Sequence, residues 1–349
     1  MPTLYQIGRG VPDRDIPAPT ANADSRLVDA FGRRLTYLRV SVTDRCNLRC
    51  LYCLPADADF PFGDRDFLSP VDLERLVGTL VDLGIRRVRL TGGEPLVRKD
   101  ILDIVRRLGA LPGLEDLALS TNGTELARLA TPLREAGISR VNVSIDTLDG
   151  KRFHQITRRD DLEKVWQGVE AALEAGLDPV KLNSVLMSDH EPEDIDRLVD
   201  LTLERPLAVR FIEMMPTASN EHLQPGAFRS CEWVRERIEK RYGPMQSADP
   251  PVRTGPAKSF RIPGARGTVG FITPLSHTFC HDCNRLRVTA RGELRLCLFA
   301  DRTYPLRHLL GDKPALEQEI FRVLADKPAE HMLTEGNYGN LASFMEIGG

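Results

Sequence analysis

Three cysteines, Cys46, Cys50 and Cys53, stand at C-x3-C-x2-C spacing just after an apolar, strand-like run from Leu35 to Val42. Thiolates select zinc, copper(I) or iron–sulfur clusters. A structural zinc site wants a fourth protein ligand, and the ferredoxin patterns supply four thiolates per cluster. Three thiolates packed this tightly suit a [4Fe–4S] cube with one iron left open, where a small molecule can bind and be activated. Stray structural cysteines seldom cluster so closely. Asp44 and Arg45, just upstream, are placed to tune or orient the site.

A second constellation, Cys280-His281-Asp282-Cys283 with Cys297, is open to two readings. With His281 it closes a Cys3His zinc site. Without His281 it repeats the three-thiolate arrangement. Cys231 stands apart and reads as an ordinary, partly buried thiol. Six of the seven cysteines fall in the two tight groups, which reads as metal ligation in a reducing, cytoplasmic compartment.

The elements that must hold these groups are legible from periodicity. Ser69-Pro70-Val71-Asp72 offers an N-cap, a proline at the first helical position and a capping acid. Leu73, Leu76, Val77, Leu80 and Val81 follow at helical spacing, and Gly84 ends the helix. The strand–helix rhythm then repeats, with strands at 87–91, 117–120, 141–145, 180–186 and 208–212 and helices at 100–108, 125–136, 162–175 and 192–204. Units of about thirty residues imply parallel strands with right-handed crossovers. Periodicity alone leaves a doubly wound sheet and a partial (β/α) barrel both open. Either way the functional groups fall at the C-terminal ends of strands.

After Met215 the rhythm breaks. A helix is expected over 232–242, then a Pro- and Gly-rich passage and short strands around the second cysteines. The expected organisation is an extension over 1–25, a main unit over 26–217 and a smaller C-terminal region over 218–349. Apolar content of 42% and charged content of 28% are those of a globular protein. A net charge of −3 gives no global reason to expect nucleic acid or an acidic membrane as partner. There is no transmembrane-length apolar run, and the first twenty residues lack the apolar core of a secretion signal.

The motif C-x3-C-x2-C with Tyr52 before its last cysteine resembles that of radical S-adenosylmethionine (SAM) enzymes. The run Phe279-Cys280-x-x-Cys283-Asn284-Arg285-x-Arg287-x-Thr289, with Gly292 and Cys297-Leu298, is similar to one family among them, the GTP 3′,8-cyclases of molybdenum cofactor biosynthesis. Thr43-Asp44-Arg45-Cys46-Asn47, Thr91-Gly92-Gly93-Glu94-Pro95-Leu96, Ser120-Thr121-Asn122-Gly123, Val143-Ser144-Ile145-Asp146 and Arg210-Phe211-Ile212-Glu213 fit in order, so the resemblance covers roughly Leu35 to Gly349.

It implies an α/β fold, a partial (β/α)6 TIM-type barrel with the smaller C-terminal region closing its open side. It implies two [4Fe–4S] clusters, one on Cys46, Cys50 and Cys53 and one on Cys280, Cys283 and Cys297, with SAM on the first and the guanine of GTP on the second. Tyr52, Gly93, Ser144 and Met215 would meet SAM, although a serine placed like Ser144 is more often a simple strand-end cap and a core methionine would look the same as Met215. Arg39, Arg89, Ser120, Lys181, Arg285 and Arg287 would meet GTP. Arg285, Arg287 and the terminal Gly348-Gly349 would serve catalysis, the glycine tail entering the site.

The implied reaction begins with one-electron cleavage of SAM and abstraction of hydrogen from ribose C3′. The C3′ radical attacks guanine C8, and reduction then gives 3′,8-cyclo-7,8-dihydro-GTP. The implied partners are an electron donor such as flavodoxin or ferredoxin, a downstream pterin synthase, and a second copy in a homodimer. Two other readings compete: a peptide-modifying radical SAM enzyme, which usually carries more C-terminal cysteines, and a zinc or electron-transfer module, which wants four ligands per metal.

Overall fold

Tyr37–Ser41 forms the first strand, β1, and five further βα units follow it: helix α1 (Pro70–Asp82), β2 (Arg87–Thr91), α2 (Ile101–Gly109), β3 (Asp116–Thr121), α3 (Leu126–Ala136), β4 (Arg140–Ser144), α4 (Gly150–Thr157), α5 (Leu162–Glu174), β5 (Val180–Leu186), α6 (Pro192–Glu204) and β6 (Ala208–Glu213). The computed structural model describes residues 26–331, apart from 56, 58, 59, 61, 62, 64, 65, 218, 219, 221–228, 249–254 and 301. The expected 1–25 extension and Gly348-Gly349 lie outside the described residues.

The start of α1 shows how local sequence fixes an element. Ser69 Oγ accepts from Asp72 N at 3.1 Å, and Pro70 occupies a position whose missing N–H removes no helical bond. Leu73, Leu76, Val77 and Leu80 are fully buried against the sheet. The strands alternate: Leu38, Val40, Val88, Leu90, Val141 and Val143 are buried, while Arg39, Arg89 and Asn142 point to the opposite face, the one that lines the barrel.

Strand order decides the architecture. β1 to β6 lie side by side in chain order, each neighbouring pair parallel. A doubly wound sheet reverses its strand order part-way; here the winding proceeds in one direction, as in a (β/α) barrel. The remaining elements are α7 (Cys231–Tyr242), β7 (Gln246–Ser247), β8 (Lys258–Arg261), β9 (Thr268–Ile272), β10 (Arg285–Val288), β11 (Glu293–Arg295), β12 (Tyr304–Pro305) and α8 (Lys313–Leu324). They extend both sides of the barrel. β9 pairs parallel with β6 and β10 pairs parallel with β1, so one sheet runs β12-β11-β10-β1-β2-β3-β4-β5-β6-β9-β8-β7. No helix among the described residues is long and apolar enough to cross a membrane.

Candidate active site

The Cys46–Cys53 loop follows β1, and four separate elements grip it. Gly93 N donates to Thr43 O at 2.8 Å and Glu94 N to Arg45 O at 2.7 Å. A Cβ on Gly93 would stand 2.4 Å from Arg45 O, and one on Gly92 would stand 2.4 Å from Thr43 O. The glycine pair therefore lets two backbones pack directly on each other. On the far side α4 receives the loop, with Arg49 N donating to Thr157 O at 3.0 Å and Leu51 N to Ile156 O at 2.9 Å. Arg158, in the left-handed region at φ +57°, donates to the carbonyls of Arg49 and Leu54.

The third grip comes from the end of β3. Asn122 Nδ2 donates to Asn47 Oδ1 at 2.7 Å and reaches Cys46 Sγ at 3.9 Å. Glu94, fully buried, ties this end to the Gly-Gly loop by accepting from Leu96 N, Thr121 Oγ1 and Asn122 N. Burial pushes its carboxyl up to about 7 despite those three donors. The fourth grip is Asp146, which accepts from Tyr52 Oη at 2.8 Å and Val185 N at 2.8 Å, while its carbonyl meets His190 Nε2 at 2.9 Å. Asn220 Nδ2 spans Tyr52 O and Met215 O, so Tyr52 and Met215 are drawn together. Ser144 is exposed at the end of β4, and Gly93 is half-buried.

Spacing gave no sign of these supports. Glu94, Asn122 and Asp146 stood inside noted motifs without a role, and Asn220 and α4 had no signal of their own.

Burial pushes the Cys46 thiol up to about 12, with Glu94 adding to it. Burial and then the Cys53 charge raise Cys50 well above its ordinary value. Thiolates here are unfavourable, as at any buried cysteine, unless a cationic centre compensates them. At the second site His281 is 76% exposed and pairs with Asp282. It turns to solvent, which leaves the three cysteines without the histidine that a Cys3His zinc site requires. Among the described residues no three Cys, His, Asp or Glu side chains are gathered as a single ion would need. Both donor sets fit a cluster that binds one iron per thiolate.

Cys231 belongs to neither group. It is buried at the start of α7, against Phe211 O at 3.5 Å and Ile272 O at 3.6 Å, and burial raises its pKa. Glu213, buried at the end of β6, accepts from Cys231, Leu275 and Ser276 backbone N–H groups and so fixes the approach to the second cysteines.

Between the two cysteine groups the sheet carries a rung of arginines. Register places Arg287 of β10, Arg39 of β1 and Arg89 of β2 side by side. Arg89 and Arg287 are buried and Arg39 half-buried. Arg89 Nε donates to Tyr37 Oη at 2.6 Å and its Nη1 to Leu119 O at 3.2 Å, with Ser120 Oγ at 3.5 Å. Although burial works to raise the Tyr37 phenol, Arg89 and then Arg39 bring it down to about 8. Burial and then Arg287 hold Arg39 well below its usual value. Arg285 pairs across the ladder with Tyr37 and stacks on Phe279.

A second rung runs Ser120, Asn142, Lys181. Burial, then Arg210, lower Lys181 to about 6. Asn142 Oδ1 and Asn183 Oδ1 are buried with no hydrogen-bond partner. A cleft of about 190 Å³ opens at the amino-terminal ends of β5, β6 and β9, lined by Lys181, Arg210, Ala208 and Gly270. A cationic interior fits a polyanion.

Comparison with known proteins adds what geometry leaves open. A curated GTP 3′,8-cyclase of Ectopseudomonas mendocina is 44% identical over 330 residues, covering 93% of this chain and 99% of its own. The chain belongs to the GTP 3′,8-cyclase family. Cyclases of Pelotomaculum thermopropionicum and Moorella thermoacetica match at 43% and 45% over 92% of the chain. The family model described as the Radical SAM superfamily matches residues 40–202, and the one described as Molybdenum Cofactor Synthesis C matches residues 207–333. SAM and iron–sulfur clusters are therefore the cofactors of this cyclase family. Among solved structures, Streptococcus suis SuiB bound to S-adenosylmethionine superposes with a TM-score of 0.57 over 87% of this chain and 67% of SuiB. At 16% identity that likeness concerns the fold.

Proposed function

We propose that this protein converts GTP to 3′,8-cyclo-7,8-dihydro-GTP, an early step of molybdenum cofactor biosynthesis. The observation that carries the substrate reading is the Arg287–Arg39–Arg89 rung between the two cysteine groups. Two [4Fe–4S] clusters and SAM supply, when bound, the one-electron and hydrogen-abstraction chemistry that joins ribose C3′ to guanine C8. Cys46, Cys50 and Cys53 would hold the first cluster and Cys280, Cys283 and Cys297 the second. Tyr52, Gly93, Ser144 and Met215 would position SAM. Arg39, Arg89, Ser120, Lys181, Arg285 and Arg287 would hold and orient GTP, and Gly348-Gly349 would complete the site.

We assign residues 26–217 to the barrel body and 218–349 to the region carrying the second cysteines. The reading also includes a cytoplasmic setting, a flavodoxin- or ferredoxin-like electron donor, a downstream pterin synthase and a homodimer. The seven free cysteines support a reducing compartment.

The test is anaerobic turnover of reconstituted protein with SAM, dithionite and each nucleoside triphosphate in turn, read by mass. 5′-Deoxyadenosine formed with GTP alone, beside a GTP-derived product, is the expected result. SAM cleavage indifferent to nucleotide would overturn the substrate assignment.

A binding experiment probes the same site without turnover. Free Lys181, near 6, is mostly neutral at pH 7.5, and phosphate oxygens raise an ammonium's pKa. GTP binding is then expected to take up a proton, and affinity to fall as pH rises above about 6, by at most about tenfold per unit. Calorimetry in two buffers of different ionisation enthalpy reads the uptake, which Lys181→Met should remove. A buffer-independent heat in the parent would refute the assignment of Lys181.

A further inference from the structure

Lys327 lies outside the motifs that spacing brings out. It sits three residues beyond α8, where the chain passes beneath the second cysteine group, and it is 3% exposed. Its Nζ stands 3.9 Å from Cys283 Sγ, donates to Arg285 O at 3.1 Å, and donates to the carbonyl of Leu296, the residue before Cys297. One ammonium thus touches a candidate ligand and the backbone beside another. Lysine is seldom buried this fully unless it is paired.

The residues beyond Lys327 hold the same group. Arg33 Nε pairs with Asp29 Oδ2 at 2.6 Å, and the Arg33 guanidinium donates to the carbonyls of Cys280, Pro328 and Ala329. The His331 backbone N–H reaches the Cys280 thiolate. The strap from Lys327 to His331 is therefore fastened across the second site, with the Lys327 ammonium 3.9 Å from Cys283 Sγ.

We propose that Lys327, the buried ammonium nearest Cys283 and acting beside Arg285 and Arg33, stabilises the reduced state of the second iron–sulfur site and so raises the potential at which that site accepts an electron. The step is the gain of one electron from an external one-electron donor, with no bond made or broken and no proton moved. Reduction adds one negative charge to the cluster, and a buried positive charge beside its ligands favours that state. Net charge and hydrogen bonds at the sulfurs are established determinants of cluster potential. The inference rests on the two-cluster reading of the cyclase.

The test is a redox titration of full-length, reconstituted protein, followed by electron paramagnetic resonance, with the first cluster as internal reference. Lys327→Met and Lys327→Gln should lower the reduced-to-oxidised ratio of the second cluster at fixed poise by at least about tenfold, a 59 mV shift for one electron. The first cluster should be unmoved, and Lys327→Arg should stay near the parent. An unmoved second cluster in both neutral variants, or equal shifts in both clusters, would overturn the proposal. If both neutral variants lose the second cluster while Lys327→Arg keeps it, the charge serves to retain the cluster and the potential-setting role is overturned. Loss from all three assigns Lys327 a packing role and overturns the proposal. A parent with only one cluster by Mössbauer spectroscopy fails the two-cluster reading, and the role of Lys327 with it. A two-cluster parent whose variants keep the potential fails Lys327 alone.

Discussion

Arg287→Met is expected to lower kcat/KM for GTP by about 10²- to 10³-fold, because removing one partner of a desolvated charge pair costs about 2–5 kcal/mol. The same substitution should leave the melting temperature of GTP-free protein unchanged or raise it. Arg287 is 8% exposed, and burial, then Arg285, bring its pKa from 12.5 to about 10. A base whose pKa is lower in the folded state is charged there at a penalty at every pH below that folded value. For this shift the penalty is roughly 3 kcal/mol at neutral pH. That shift is already net of the favourable Cys283 and Cys297 thiolates; the packing lost with the Arg287 side chain opposes the gain, so unchanged stability is the conservative expectation. Thermal melts with and without GTP, beside iron content and steady-state rates, separate the alternatives. GTP should stabilise the parent and do much less for the variant. A fall in melting temperature matched by an equal loss of folded protein would show that Arg287 serves the fold.

Gly93→Ala should act through the other cysteine group. The new Cβ would lie 2.4 Å from Arg45 O and 2.6 Å from Asp44 O, both backbone atoms without a rotamer to yield. The Gly93–Thr43 and Glu94–Arg45 hydrogen bonds must then lengthen, and the cysteine loop must leave its seat on the Gly-Gly loop. Expected losses are roughly 3–5 kcal/mol of stability, about 5–15 °C in melting temperature for a chain of this size, and most SAM cleavage. Gly176→Ala is the control. Its φ of +70° carries a backbone penalty of about 1–2 kcal/mol, but nothing lies within 4 Å of the new methyl. SAM cleavage at parental rate in Gly93→Ala would show that the contact between the two loops is dispensable.

The barrel was legible because its signals are local. N-caps, apolar spacing and glycine stops placed the βα units within two residues of their observed bounds at most ends, and 180–186 and 192–204 agree in full. α4 escaped because it is eight residues long and partly exposed, so it carries little periodicity. α8 escaped among the C-terminal elements. The sharing of one sheet by β9, β10 and the barrel edges depends on pairings between distant residues, which no window of sequence contains. The site divides in the same way. Cysteines and strand arginines announce themselves by type and spacing. Glu94, Asp146, Asn220 and Lys327 matter through contacts tens to hundreds of residues away in the chain.

The seam between β1 and β10 has a consequence for biosynthesis. Thr36 and Asn284 meet there across 248 residues of chain. At 5–20 residues per second a ribosome needs about 12–50 s to deliver the partner strand. Throughout that interval one flank of β1 is an open hydrogen-bonding edge, a template for pairing with other nascent chains. It also bears Arg39, whose neighbour Arg287 has yet to be made. The arginine-bearing edge thus stays unfinished until β10 is made, and conditions that slow elongation lengthen its exposure in proportion.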